Sequence, residues 1–330
     1  MSEHGIRDEP LIKVENLRKY FPLRHGFTRE KIGDIKAVDD VSFSIRKGET
    51  FGLVGESGCG KTTTGKSLLG INNPIEGRIL YKGRDLSRLS EREFRPYRRE
   101  LQLIFQDPYG SLDPRQSAFS ILEEVVLAGR ARLGGDAVRR RVHELLDIVE
   151  LGSVMGPRYP HEMSGGQRQR LGIARALACE PELIVCDEPV SALDVSIQAQ
   201  IINLFKSIQK ELGIAYLFVA HDLAVVRHIS HHIGVMYLGR LVEVTNAEQL
   251  YSGARHPYTK ALLSAIPITD YYAEQKRERI VLRGEVPSPM NKPSGCPFHP
   301  RCGQATAECR DIIPQLRSIG PDHEAACHHV

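Results

Sequence analysis

The chain has 330 residues, enough for one large domain and a smaller one, with 44 Lys and Arg against 41 Asp and Glu for a formal net charge of +3. So mild a balance excludes a strongly basic nucleic-acid binder, and no apolar run approaches the roughly 18 residues that span a bilayer. Met1-Ser2-Glu3-His4 lacks the basic-then-apolar pattern of a secretory leader, so a cytoplasmic protein is expected that reaches a membrane only through partners.

Residues 11–14 and 41–45 read as alternating strands and residues 50–54 as a buried one. The last runs into Gly55-Glu56-Ser57-Gly58-Cys59-Gly60-Lys61-Thr62, which fits G-x-x-x-x-G-K-[ST] and continues from Thr63 as a helix. Glycines let backbone N–H groups turn inward around a phosphate, and the helix N-terminus adds positive partial charge. Gly55 through Thr63 are therefore expected to bind phosphate, with Lys61 reaching the β- and γ-phosphates of a nucleotide and Thr62 ligating Mg²⁺. Cys59 lies beside Lys61 and a helix N-terminus, both of which lower a thiol pKa, so a reactive cysteine is expected there, with a buried, inert one as the alternative.

Residues 77–81 and 101–105 are further strands, the latter closed by Gln106. From Asp107 to about Pro160 the character changes to helical. Asp136 is placed to cap a helix whose apolar face is Val138, Val142, Leu145, Leu146 and Val149, ending at Gly152. Arg139-Arg140-Arg141 on that helix reads as a solvated face. Next comes Met163-Ser164-Gly165-Gly166-Gln167-Arg168-Gln169-Arg170. A helix from about Gln167 carries Leu171, Ala174, Leu177 and Ala178 at helical spacing, with Pro181 after its end. Ser164, Gly165, Gly166 and Gln167 thus make a second anion site, with a hydroxyl, two positions of close backbone approach and a helix start.

Leu183-Ile184-Val185-Cys186 is a short apolar run suited to a buried parallel strand, and it ends in Asp187-Glu188-Pro189. Asp187 is expected to hold Mg²⁺, and Glu188 to orient and deprotonate an attacking water. A GTPase is disfavoured, because the only Asn-Lys pair, Asn291-Lys292, is followed by Pro293-Ser294 rather than by the spacing that recognises guanine. Residues 215–219, 233–237 and 240–244 complete the strands.

Met163-Ser164-Gly165-Gly166-Gln167 resembles the signature of ATP-binding cassette (ABC) ATPases, with Met163 in place of the usual leucine. The resemblance covers roughly residues 11–250. It implies that Gln106 is the Q-loop glutamine that senses Mg²⁺ and the membrane partner. It implies that Ser191-Ala192-Leu193-Asp194 is the D-loop crossing between subunits, Ser191 and Asp194 being its polar members. His221, in Val219-Ala220-His221-Asp222, resembles the switch histidine that contacts the γ-phosphate. Phe21, with Tyr20 as rival, is the implied aromatic that stacks on adenine. Two such cassettes packed head-to-tail would sandwich ATP between the phosphate loop of one and Ser164 of the other.

Beyond about residue 246 come Arg255-His256-Pro257-Tyr258-Thr259-Lys260, expected to lead a helix through Ile266 with Pro257 in its first turn, and Gly284-Glu285-Val286-Pro287-Ser288-Pro289. Cys296-Pro297-Phe298-His299-Pro300-Arg301-Cys302 follows. Cys296, Cys302, Cys309 and Cys327 are spaced C-x5-C-x6-C-x17-C. In a cytoplasmic chain such thiols are expected to bind metal rather than form disulfides. The short C-x2-4-C pair usual for zinc is missing, while four thiolates suit an iron–sulfur cluster; zinc, unliganded thiols and a mixed set with His299, His323, His328 or His329 stay open.

This tail, with the Gln106-Asp107-Pro108-Tyr109-Gly110-Ser111-Leu112-Asp113-Pro114 run, resembles oligopeptide/dipeptide-type ABC importer ATPases, and among them the second, F-type, subunit. The family resemblance supports a [4Fe–4S] cluster, and the tail, lying outside every ATP-contacting motif, is expected not to be needed for hydrolysis. The resemblance implies an α/β P-loop ABC ATPase core with an antiparallel β edge subdomain, a helical subdomain and a small C-terminal metal-binding extension. The expected boundaries are 1–246 for the nucleotide-binding domain, about 107–178 for its helical part, and 247–330 for the extension. The implied function is to power a binding-protein-dependent importer of di- or oligopeptides by ATP hydrolysis with Mg²⁺. Implied partners are a second homologous ATPase subunit, two integral membrane permease subunits and an extracytoplasmic substrate-binding protein, at the cytoplasmic face of the membrane, with no nucleic acid. Importers of nickel or glutathione share much of this pattern. A soluble ABC ATPase acting on nucleic acid or ribosomes is a weaker alternative, since neither a long coiled coil nor a second cassette is present.

Overall fold

A computed structural model describes residues 9–25, 30–129, 134–266 and 279–330. The N-terminal reading on Met1–His4 lies outside the described residues. The chain forms two compact units: Met1–Ser44, Phe51–Arg88 and Ala220–Val330 make the first, Ile45–Thr50 and Leu89–Val219 the second.

The first unit contains a four-stranded sheet with the spatial order Glu30–Ile45, Ile12–His25, Glu76–Tyr81, Arg84–Asp85. Ile12 pairs with Tyr81 and Val14 with Ile79 in antiparallel register. Alternation explains it: Ile12 and Val14 are buried while Lys13 between them is exposed. Both long strands extend well beyond the short apolar runs that announce them in the sequence.

The same unit holds Thr50–Val54 in parallel pairing with His232–Tyr237. That strand pairs antiparallel with Arg240–Asn246, which pairs with His323–Ala325, which pairs with Arg317–Gly320. The C-terminal tail thus contributes two strands to this sheet. Glu243 ties the tail down. Fully buried, its carboxylate accepts the N–H groups of Arg255 at 2.7 Å and His256 at 3.0 Å, and lies 2.7 Å from His323 Nε2.

In the second unit Leu101–Ile104, Leu183–Asp187 and Ala215–Ala220 run parallel, with Ile184 beside Gln102 and Tyr216. The last two strands are buried at every position, as near-continuous apolar runs in parallel sheets require. The helices Ala118–Gly129, Gly135–Ile148 and Gly165–Leu177 pack together, and Val195–Leu212 ends at Gly213 in the left-handed conformation. Val138, Val142, Leu145, Leu146 and Val149 are all buried, as their spacing predicts. The caps differ. Gly134 is the N-cap, Asp136 lies in the first turn, and the helix stops at Ile148 rather than at Gly152. Arg139 and Arg140 are exposed, while Arg141 pairs with Glu144 at 3.1 Å and Glu180 at 3.7 Å. Among the described residues no helix is long and apolar enough to cross a membrane.

Glu243→Ala takes the acceptor from two backbone donors and the partner from His323. Each buried group left unsatisfied costs about 1–3 kcal/mol, so the terminal strands should lose roughly 3 kcal/mol or more of local stability. Hydrogen exchange at Glu324 and Ala325 should accelerate more than tenfold. Unchanged protection there would show that Glu243 does not hold the tail.

Candidate active site

In the first unit the buried strand Thr50–Val54 delivers the chain into the glycine-rich loop. Gly58 and Gly60 take φ of 78° and 107°, and Gly55 takes 154°. A Cβ on Gly60 would lie 2.1 Å from the Ala37 carbonyl oxygen, and one on Gly55 2.2 Å from that of Met236, so only glycine fits either position. Ser57 and Gly58 are exposed on the lip of the loop. The helix Lys61–Leu68 begins at the left-handed Gly60, with no side-chain cap. Thr62 and Thr63 are half-buried in its first turn. Lys61 is only 4% exposed. Its Nζ donates to the carbonyl oxygens of Gly55 at 2.7 Å and Glu56 at 3.1 Å.

Cys59 does not have the environment the sequence predicts for a reactive thiol. It is buried, and burial pushes the thiol pKa up despite the pull of Lys61, whose Nζ lies 3.8 Å from Sγ. Desolvation outweighs the neighbouring charge because no water reaches the sulfur to solvate a thiolate.

Tyr20 and Phe21, adjacent on one strand, point to opposite faces. The Tyr20 hydroxyl donates to Asp39 Oδ1 at 2.7 Å. Burial would raise the Asp39 carboxyl, but the Tyr20 hydrogen bond, Lys292 at 3.2 Å and Arg240 at 3.4 Å hold it down at about 2. Asp39 N–H donates to Gly239 O, and Gly239 N–H to Cys59 O, so this charged cluster is linked to the phosphate loop. Phe21 has Lys19 Nζ 5.2 Å from its ring centroid. His221 is exposed just beyond the strand Ala215–Ala220, and Asp222 caps the following helix, Leu223–Ile229, through Ala224 N–H at 2.7 Å.

The second unit carries the acids. Asp187 ends its strand 5% exposed. Glu188 has φ of 47°, a left-handed conformation that a residue with a Cβ adopts at a cost of about 1–2 kcal/mol. Its N–H donates to Val219 O at 3.0 Å, and its carbonyl accepts the Ser191 hydroxyl at 3.0 Å. Gln106 Nε2 donates to Glu188 Oε2 at 3.1 Å across 82 residues of sequence. The structure therefore brings the expected base together with the expected Q-loop glutamine. Ser191 serves the backbone of Glu188, while Asp194 is exposed at the N-terminus of Val195–Leu212.

Ser164 is the N-cap of Gly165–Leu177, two residues before the predicted helix start. Its hydroxyl accepts Gln167 N–H at 3.3 Å, and Gln167 Oε1 accepts Ser164 N–H at 2.9 Å. Gly166 has a structural reason the motif alone does not disclose: a Cβ there would meet Ile197 Cγ2 at 2.7 Å.

The metal site expected on Cys296, Cys302, Cys309 and Cys327 is overturned, for iron–sulfur and for zinc alike. Among the described residues no group of three or more His, Cys, Asp or Glu side chains is arranged to hold a metal ion. Burial pushes the Cys296 thiol up to about 11 and raises Cys302 and Cys327. They have other partners: Cys302 Sγ accepts Gln304 N–H at 3.4 Å, Cys327 Sγ accepts His329 N–H at 3.5 Å, and Cys309 Sγ lies 3.4 Å from Thr306 Oγ1. His323 pairs with Glu243, and His328 Nε2 lies 3.0 Å from Ile312 O. Packing holds the tail instead. Phe298 sits in a ring cluster with Tyr237 at 5.3 Å, Tyr258 at 5.4 Å and His256 at 5.6 Å between centroids.

The tail also reaches the phosphate loop, which the sequence does not suggest. Arg301 Nη1 and Nη2 donate to Glu56 Oε2 at 2.7 Å and Oε1 at 3.1 Å, and Glu56 N–H donates to Tyr258 Oη at 3.0 Å. No local signal marks these partners, which lie 245 and 202 residues from Glu56.

Comparison with known proteins agrees with this arrangement. The ABC transporter family profile matches residues 38–191, and that of the oligopeptide/dipeptide transporter C-terminal region matches residues 242–309. The chain is 52% identical over 325 residues to the oligopeptide transport ATP-binding protein AppF of Bacillus subtilis (strain 168), covering 98% of both chains. It is 53% identical over 323 residues to the putative oligopeptide transport ATP-binding protein YkfD of the same organism, covering 98% of this chain and 96% of that one. Among solved structures, the dimeric post-hydrolysis state of the ATP-binding cassette MJ0796 bound to ADP and Pi matches with a TM-score of 0.62 at 29% identity, covering 72% of this chain and 98% of that one. With a phosphate loop, a strand-end acid pair and a signature helix joined to this particular tail, the chain belongs to the ATP-binding proteins of oligopeptide-type ABC transporters.

Proposed function

We propose that this chain binds and hydrolyses ATP to power the uptake of di- or oligopeptides through a binding-protein-dependent importer. The observation that carries the hydrolytic part is the 3.1 Å hydrogen bond from Gln106 to Glu188, which holds a carboxylate next to the metal-side acid Asp187. The peptide substrate rests on relatives named for oligopeptide transport over nearly the full chain. The same relatives support a peptide cargo over nickel or glutathione, and no nucleic-acid role is proposed.

The residues divide the work as follows. Gly55–Thr63 receive the phosphates, with the Lys61 ammonium exchanging its loop carbonyls for phosphate oxygens. Thr62, Asp187 and Gln106 are the Mg²⁺ side, and that ion supplies charge neutralisation on the phosphates when bound. Glu188 takes the proton of the attacking water, and Gln106 keeps its carboxylate oriented. His221 contacts the γ-phosphate. Phe21 is assigned to the adenine, with Tyr20, whose hydroxyl donates to Asp39, as its rival. The Ser164 hydroxyl accepts a hydrogen bond from Gln167 but keeps its own proton to donate to a phosphate oxygen. That phosphate belongs to a second, related cassette packed head-to-tail, with Ser191 and Asp194 at the junction. ATP closes the pair, hydrolysis opens it, and two permease subunits fed by an extracytoplasmic binding protein follow the cycle at the cytoplasmic membrane face. Residues 1–246 act as the nucleotide-binding domain, with its helical part at about 107–178, and residues 247–330 as the transporter-specific extension.

In the assembled transporter, Glu188→Gln should keep ATP binding and lose roughly 10²–10⁴-fold in turnover, the usual worth of a general base, while Lys61→Ala should lose nucleotide binding itself. Near-normal turnover in the Glu188→Gln transporter would remove Glu188 from the role of base. A purified active importer should contain one copy of this chain and one of an unlike cassette, resolved by native mass spectrometry. An active importer with two copies of this chain and no second ATPase would contradict that assembly.

A further inference from the structure

Glu56 is tethered on both sides of the phosphate loop. Its carboxylate takes both guanidinium nitrogens of Arg301, and its N–H donates to Tyr258 Oη. Its carbonyl oxygen accepts Lys61 Nζ at 3.1 Å and Cys59 N–H at 3.3 Å. The three outward bonds go to the C-terminal region and the two inward ones to the phosphate-binding part of the loop, so Glu56 is the joint between them.

The C-terminal side of this joint is stiff. Tyr258 is fully buried on the helix Pro257–Ser264, whose N-cap His256 accepts Tyr258 N–H through Nδ1 at 3.1 Å. The backbone N–H groups of Arg255 and His256 are held by buried Glu243. The Tyr258 ring packs on Tyr237 at 4.7 Å and on Phe298 at 5.4 Å. The Arg301 side chain is only 7% exposed, and its guanidinium lies 6.0 Å from the Tyr237 ring centroid. An exposed single-point ion pair would contribute little, but a bidentate pair with this little solvent access fixes direction as well as distance.

We propose that Arg301 and Tyr258 are positioning residues for ATP binding: they fix the plane of Glu56 and, through its carbonyl oxygen, the resting place of the Lys61 ammonium. The C-terminal region then has a role in nucleotide affinity, although it carries none of the phosphate-binding motif. This rests on the reading of Lys61 as the phosphate-binding lysine.

The test uses full-length protein, titrated with MgATP against a fluorescent nucleotide analogue, and the assembled transporter for steady-state ATPase. Arg301→Ala should raise Kd and KM for MgATP roughly tenfold while changing kcat at saturation less than about threefold, because the lost bidentate pair orders the loop rather than the reacting groups. Arg301→Lys, which keeps the charge and loses the fork, should fall between the two. Tyr258→Phe keeps the ring packing and removes only the acceptor of Glu56 N–H, so it should raise KM about threefold while lowering the melting temperature by only a few degrees. If Arg301→Ala does not fold, Tyr258→Phe decides by itself. A KM within twofold of the parent for Tyr258→Phe and for any folded Arg301 variant, even with a loosened tail, would reduce the pair to a structural tether and overturn the proposal. Lys61→Ala separates the two failures: if it binds MgATP normally, the loop reading is wrong; if it loses ATP while the Arg301 and Tyr258 variants keep it, only the positioning role is wrong.

Discussion

A buried ammonium held by carbonyl oxygens is the constraint around which the nucleotide end of this protein is built. A charged amine taken from water must be met by hydrogen-bond acceptors, and Lys61 meets two from its own loop, Gly55 and Glu56. That demand dictates the loop's shape. The chain must double back so that carbonyls five and six residues upstream face the amine, and Gly58 and Gly60 supply the left-handed turns that allow it. The close contacts of Gly55 and Gly60 with the carbonyls of Met236 and Ala37 then lock the loop against the first unit's strands. Charged phosphate oxygens would be stronger partners for this ammonium than the two loop carbonyls.

The second unit solves a different problem, keeping a carboxylate aimed while its backbone is strained. Glu188 sits in the left-handed region. The surrounding bonds, its N–H to Val219 O and its carbonyl to the Ser191 hydroxyl, stabilise that conformation, and Gln106 fixes the side chain. Strain at the residue proposed as the base is consistent with a position kept for function rather than for stability. Gly166 shows the reverse economy: the residue most readily explained by a ligand also has a packing reason, the close approach of Ile197.

The tail departs most from a reading by pattern. Four cysteines in a short, proline-rich stretch suggest a metal-dependent fold, yet the segment is held by two sheet strands, a buried Glu243 and an aromatic cluster. The error has a physical origin. Cysteine spacing shows which sulfurs could act together, whereas only the folded arrangement decides whether they are grouped to hold a metal, and among the described residues no such group is found. The same confusion applies to Cys59, where a neighbouring lysine and a helix start are legible in sequence but the exclusion of water is not.

The sequence by itself determined what depends on near neighbours. Strand 50–54, the glycine-lysine loop, the apolar face from Val138 to Val149, the capped helix after Ser164 and the acid pair at the end of residues 183–187 follow from periodicity, steric freedom and short-range capping, all of which act within a few residues. Tertiary structure alone decided which distant groups meet: Gln106 with Glu188, Asp39 with Tyr20 and Lys292, and Glu56 with Arg301. Those pairings join residues up to 253 apart, and nothing in either local stretch encodes the other. Charge and hydrogen-bonding capacity are properties of a residue, but the partner that satisfies them is chosen by the path of the chain between, because only the folded topology brings two such groups within hydrogen-bond distance.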